Sequence, residues 1–117
     1  MDDLDRIIIK SYPLTIIVYY KKHWISIYID QKELEVFDST ASVLNQAPKP
    51  LIRFLCRNGH KNIKFSNEMQ GKLSKLCGYY ALYFILMKSK NYSWKKIIET
   101  LNSKINKDDY IRSVFNC

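Results

Sequence analysis

The chain has 117 residues, 47% of them hydrophobic, and a formal net charge of +8. At this length it reads as a single domain, residues 1–117, with one core and little room for an elaborate cleft. No apolar run approaches the about 20 residues that a spanning helix needs, and three cysteines at irregular spacing do not make a disulfide-stapled scaffold.

The start Met1-Asp2-Asp3-Leu4-Asp5 is acidic and unlike a signal peptide. The expectation is a soluble protein of a reducing compartment with free thiols. The positive charge implies an acidic partner at some stage, nucleic acid among the options. The lysines are scattered, however, and read equally well as a solvated surface.

In chain order, residues 1–13 are a lead-in, with Ile7-Ile8-Ile9 as a candidate strand ended by Pro13. Leu14 to Tyr20 is β-branched and aromatic and predicts a buried strand. Lys21-Lys22 is a polar break. Trp24 to Ile29 predicts a second strand, Asp30-Gln31-Lys32 a turn, and Leu34 to Phe37 a third strand, antiparallel by hairpin logic. Pro50 to Arg57 has helical spacing, proline at its start and Asn58-Gly59 at its end. Asn62 to Phe65 predicts a short strand. Ser66 to Lys75 is a polar loop.

From Leu76 to Met87 runs the longest apolar stretch, predicted to be a buried central helix that opens at Cys77 and Gly78. Two further helices follow, one capped by Ser93 and one by Asn106. The expected class is α+β: a small mixed or antiparallel sheet packed on the central helix, with more helices at the C-terminus.

A cysteine in the first turn of a buried helix lies at the positive end of the macrodipole, where thiolate, the nucleophilic form, is favoured. Gly78 beside it lets backbone or substrate approach. A cysteine nucleophile needs a base and a group that orients the base. His23 opens one strand and Asp38 follows the strand expected to pair with it, so an antiparallel pairing brings the carboxylate to the imidazole. Gln70, seven residues before Cys77, is a candidate oxyanion donor together with the Cys77 amide. Each residue taken alone has a plainer reading: His23 as a surface strand start, Asp38 as a turn residue, Gln70 as surface, Cys77 as a buried thiol. Cys56 and His60 form a rival pair, but Asn58-Gly59 ends the helix between them and no second ligand pair completes a zinc site.

The ordered set His23-Trp24, Phe37-Asp38-Ser39, Gln70 and Cys77-Gly78-Tyr79-Tyr80 resembles the adenain-like cysteine proteases. This is the clan of the adenovirus maturation protease and the SUMO-deconjugating proteases. The set is especially similar to the short members found in virophages and virus-like DNA transposons. The resemblance covers roughly residues 14–88. It implies an adenain or papain-like core, a His23–Asp38–Cys77 triad and Gln70 in the oxyanion hole. It also implies that Trp24 lines a narrow cleft for small residues, often glycine, which makes Trp24 and the adjoining Gly78 the expected substrate-binding residues. The implied activity is cleavage of capsid or core precursors during virion maturation, in the virion and the infected cell. The chemistry would require no cofactor, and the resemblance leaves room for activation by DNA or a peptide, for Cys56 or Cys117 to bond such a peptide, and for a monomer. Two departures stand out: Asp38 replaces the glutamate of adenain, and only 22 residues precede His23. Two rival functions are a deconjugating protease for a ubiquitin-like protein, and a basic module that binds nucleic acid or capsid without catalysis.

Overall fold

The structure, a computed structural model, describes residues 4, 7, 9–41, 47–58, 62–69 and 76–115. Four strands form one sheet: β1 (Leu14–Tyr20), β2 (His23–Ile29), β3 (Glu33–Phe37) and β4 (Asn62–Phe65), in that spatial order. β1, β2 and β3 are antiparallel neighbours, and β4 joins β3 in parallel. The parallel pair is connected through helix α1 (Lys49–Arg57). Three helices follow β4: α2 (Cys77–Ser89), α3 (Trp94–Asn102) and α4 (Lys107–Phe115).

The α+β class predicted from the sequence is what the fold has. Ile7 and Ile9 are not in a strand, and they pack onto the core as partly buried residues. Ile8 lies outside the described residues.

Strand alternation sorts the side chains into two cores. Ile25, Ile27 and Ile29 of β2 point to one face, with Val18, Tyr20, Leu34 and Val36 from the neighbouring strands. Leu51 and Phe54 of α1 close that layer. On the other face, Phe37 and Tyr28 join Tyr80, Tyr83 and Phe84 of α2, Ile97 and Leu101 of α3, and Ile111 of α4. Phe37 and Phe84 stack at 4.8 Å and 12°. A sheet covered on both faces explains why β2 and β3 read as near-continuous apolar runs instead of clean alternations.

The helices begin and end where local chemistry directs. Ser93 accepts a hydrogen bond from the Lys96 amide at 3.1 Å, and Asn106 accepts one from the Asp109 amide at 3.0 Å. α2 ends in a Schellman arrangement. Asn91 takes a positive φ of 67°, its amide donates to the Lys88 carbonyl, and the Tyr92 amide donates to the Met87 carbonyl.

α2 runs along β2 in the same direction. At its start Gly78 faces Trp24: a methyl group there would stand 3.4 Å from Trp24 Cδ1. At its end Lys88 Nζ lies 3.0 Å from Glu35 Oε1 and 4.0 Å from the centre of the Tyr28 ring, and Tyr28 pairs with Glu35 across the strands. The ten steps from Gly78 to Lys88 rise about 15 Å, close to the about 13 Å from Trp24 to Tyr28 along a strand. Burial pushes the Glu35 carboxyl above the usual range, and Lys88 offsets only part of that. From α4, Asp108 accepts a hydrogen bond from the Tyr80 hydroxyl at 2.7 Å. These contacts fix the register of α2, and so the position of Cys77.

One expectation is corrected here. α2 is not buried all round: Tyr79 is 39% and Leu82 45% exposed. Both stand at the edge of an open groove beside β1, where Tyr79 also packs on Phe115 of α4 at 5.5 Å. Apolar composition alone could not distinguish that edge from core.

Candidate active site

His23 is the first residue of β2, and a two-residue turn, Lys21-Lys22, delivers it. Asp38 follows the last residue of β3. The β2–β3 register pairs Ser26 with Phe37. Continued past the end of the ladder, it sets His23 opposite Thr40, with Asp38 on the diagonal and on the same face. Diagonal neighbours are within reach of long side chains.

Accordingly, His23 Nε2 lies 2.5 Å from Asp38 Oδ1 and 3.1 Å from Thr40 Oγ1. The Thr40 hydroxyl donates to Asp38 Oδ1 at 2.9 Å, and the Thr40 amide donates to the same oxygen at 3.0 Å. The Asp38 carboxylate thus closes its own turn, as an Asx residue does, while it accepts the imidazole N–H. Its plain reading as a turn residue and its reading as an orienting group both describe it.

The backbone of Asp38 is held in turn. The Ser66 hydroxyl accepts from the Asp38 amide at 2.7 Å and donates to the Asp38 carbonyl at 2.8 Å. Ser66 directly follows β4, and its own amide donates to the Val36 carbonyl. The parallel strand therefore braces the carboxylate from the far side of β3.

Cys77 is the first residue of α2, partly buried and free. Its side chain lies close enough to the His23 ring to help raise the ring's pKa. Because Nε2 is committed to Asp38 and Thr40, the nitrogen left to the thiol is Nδ1. No side chain caps α2, and its first turn holds no acidic residue. The positive end of the helix dipole is therefore not neutralised within the turn that carries the sulfur.

The electrostatics agree with the geometry. Burial alone would lower the His23 pKa. The hydrogen bond and charge of Asp38, followed by those of Cys77, outweigh it and raise the ring above its ordinary value. Burial alone would raise Asp38. The hydrogen bond and charge of His23, with both Thr40 hydrogen bonds, bring it down to about 2. An imidazolium beside a carboxylate is the favoured state over the intermediate pH range.

Next to the sulfur lies an open, mainly apolar cavity of about 610 Å³. Cys77, Gly78, Tyr79 and Leu82 line it from α2, Trp24 from β2, and Ile17 and Tyr19 from β1. The Trp24 ring packs on Tyr19 at 4.4 Å.

Of the residues singled out in the sequence, His23, Asp38 and Cys77 come together, with Trp24 and Gly78 beside them. Gln70, His60 and Cys117 lie outside the described residues. Cys56 is exposed on α1, which covers the opposite face of the sheet from α2. No cluster of three or more metal-ligating side chains occurs among the described residues. None of their helices is long and apolar enough to cross a membrane.

Thr40 and Ser66 were not anticipated. The signal for Thr40 was present: Asp38-Ser39-Thr40 has Asx-turn spacing, and the register places Thr40 opposite His23. Ser66 is 28 residues from Asp38 and carries no local signal. Comparisons with protein-family models, with curated proteins and with solved structures find no match to this chain.

Proposed function

We propose that this chain is a cysteine endopeptidase of the adenain type, using Cys77 as nucleophile, His23 as acid and base, and Asp38 as the group that orients His23. The observation that carries the reading is a His23 ring held through one nitrogen by Asp38 and Thr40, with Cys77 beside it at the uncapped start of a helix. A merely structural thiol has no need of a polarised, doubly anchored imidazole.

In this reading the thiolate attacks the peptide carbonyl carbon, and the carbonyl electrons move onto oxygen. The Cys77 amide at the helix start, with Gln70, would receive that oxyanion. His23 then protonates the departing amine, leaving a thioester. Water, deprotonated by His23, releases the acid and restores the thiol. The ring of Trp24 against Gly78 supports a preference for small residues, glycine above all, before the cleaved bond. By the same resemblance the substrates would be capsid or core precursors, cleaved in the virion or the infected cell, with activation by DNA or a peptide as a further expectation.

The test is hydrolysis of glycine-containing fluorogenic peptides beside precursor capsid protein, with Cys77→Ala as control. Loss of cleavage in the variant is the expected result. Cleavage that survives Cys77→Ala would sink the assignment.

A further inference from the structure

The β1–β2 turn is built from residues that its backbone conformation disfavours. Lys21 and Lys22 both have positive φ, 48° and 61°, between the paired residues Tyr20 and His23. A two-residue hairpin turn with both central residues at positive φ is normally built from Asn-Gly or Gly-Gly. For a residue with a Cβ and a long side chain that conformation is unfavourable, and such strain concentrates where a binding site needs a particular group in place.

Lys22 lies on the wall of the cavity that holds Cys77. Among the described residues it has no ion-pair partner. Five of the nine large apolar side chains that stand exposed among the described residues also line this cavity: Ile17, Tyr19, Trp24, Tyr79 and Leu82, each 39% to 47% exposed. Apolar surface gathered in one place beside a reactive group marks a recognition site. Here the gathering has a direction, because Ile17 and Tyr19 succeed one another on one face of β1 while Tyr79 and Leu82 form the facing wall on α2.

We propose that Lys22, on the wall of this groove between β1 and α2, selects an acidic side chain in the extended polypeptide segment that the groove holds by a large apolar residue. The apolar residue fills the space between Ile17, Tyr19 and Leu82. The carboxylate lies at the thiol end, against the Lys22 ammonium. The strained turn is retained because Asn-Gly, which would relax it, would remove the ammonium. The inference rests on the protease reading for what happens to the segment afterwards, but the recognition itself does not depend on turnover.

The experiment uses the full chain with Cys77→Ser, which binds without cleaving. Its probes are short fluorescent peptides in which a leucine and an aspartate flank a glycine, with the aspartate moved one position at a time. Leu→Ala and Asp→Asn peptides are the controls. At its best position the aspartate peptide should bind about fivefold more tightly than its asparagine counterpart, the scale of one exposed ion pair, and high salt should erase the difference. Leu→Ala should weaken binding at every salt concentration.

The Lys21→Asn, Lys22→Gly double variant should lose the aspartate preference while its melting temperature rises. Lys22→Glu, which keeps the strained turn, should favour a lysine peptide instead. Equal affinity for aspartate and asparagine at every position overturns the acidic selectivity. Equal affinity for leucine and alanine overturns the groove. Binding by these rules without hydrolysis by the natural chain would retain the recognition site and reject the protease. Hydrolysis without acidic preference would do the reverse.

Discussion

Asp38→Asn isolates the charge of the orienting group from its shape. The asparagine oxygen can still accept from the His23 ring and from the Thr40 amide, so the turn keeps its geometry. What disappears is the negative charge. In the native chain the Asp38 carboxyl is lowered from 3.8 to about 2. At 1.36 kcal/mol per pKa unit, that difference is worth about 2 kcal/mol of folding stability while His23 is charged. The sign follows from the direction of the shift. A depressed carboxyl contributes its stability fully above its unfolded value of about 4, and the contribution is lost as pH falls toward 2. His23 reports the same contact from the other side. Its folded pKa is raised, so its contribution is complete below about 6.5 and is lost as pH rises through the folded value. The two are one interaction and are not to be added. Urea unfolding followed by tryptophan fluorescence, at intervals from pH 2 to pH 8, gives both curves. The native chain minus the variant should show a plateau of about 2 kcal/mol between about pH 4 and pH 6.5, falling on each side. Other carboxylates cancel in the difference. A difference that is flat from pH 2 to pH 8 would refute the ion pair and the polarised imidazole that depends on it. In the same variant the turnover rate should fall on the order of 10²- to 10⁴-fold with little change in KM.

The other predictions are shorter. Thr40→Val removes the hydroxyl shared by His23 and Asp38 and should lower kcat about tenfold or more, with a stability loss of about 1 kcal/mol measured by urea unfolding. Iodoacetamide should label Cys77 rapidly at pH 6, and His23→Ala should abolish that rapid phase; mass spectrometry of the labelled site reads the result. Lys88→Met leaves Glu35 buried without its partner and should destabilise the chain by about 3 kcal/mol near neutral pH. Because burial already raises Glu35, that loss should shrink toward pH 4 as the carboxyl takes up a proton. Gly78→Ala puts a methyl group at ordinary contact distance from Trp24, so the melting temperature should hold or rise. Gly78→Leu should lower kcat/KM for glycine substrates far more than it lowers stability.

Much of this site was legible because its parts sit at the ends of elements that the sequence marks clearly. β1 runs from Leu14 to Tyr20, as its β-branched and aromatic pattern predicts, and the third strand ends at Phe37. Once those ends are placed, an antiparallel pairing brings Asp38 to His23 without further information. Ser93 and Asn106 cap their helices through side-chain oxygens whose preference is local. What was not legible depends on distance along the chain or on solvent. Ser66 reaches Asp38 from the strand added in parallel beyond it, and only the assembled sheet joins them. Lys88 reads as the polar end of an apolar helix, yet it is tucked against Glu35 and Tyr28. Tyr79 and Leu82 read as core because they are apolar, and they are part-exposed because they line an open groove.

The two chain segments that supply His23 and Asp38 share a feature that links stability to chemistry. Lys21 and Lys22 precede His23 with positive φ, and Ala41 follows Thr40 with a φ of 55°. None of the three is glycine, so both turns that bracket the imidazole and its carboxylate hold unfavourable backbone. Such a conformation persists only where its surroundings determine it. Here the surroundings are the paired ends of β1 and β2 on one side, and the hydrogen bonds of Asp38 to Thr40, Ala41 and Ser66 on the other. Relaxing either turn therefore has a specific consequence. Ala41→Gly should stabilise the backbone locally without touching a side chain of the site, and activity should be unchanged. Relaxing Lys21 and Lys22 should stabilise the fold as well, but at the expense of a group on the cavity wall. If both changes raised the melting temperature and both left peptide selectivity intact, the strain would be a by-product of closing two tight turns. If only the lysine turn altered selectivity, its strain is maintained for recognition, and the short hairpin before His23 belongs to the substrate site as much as to the sheet.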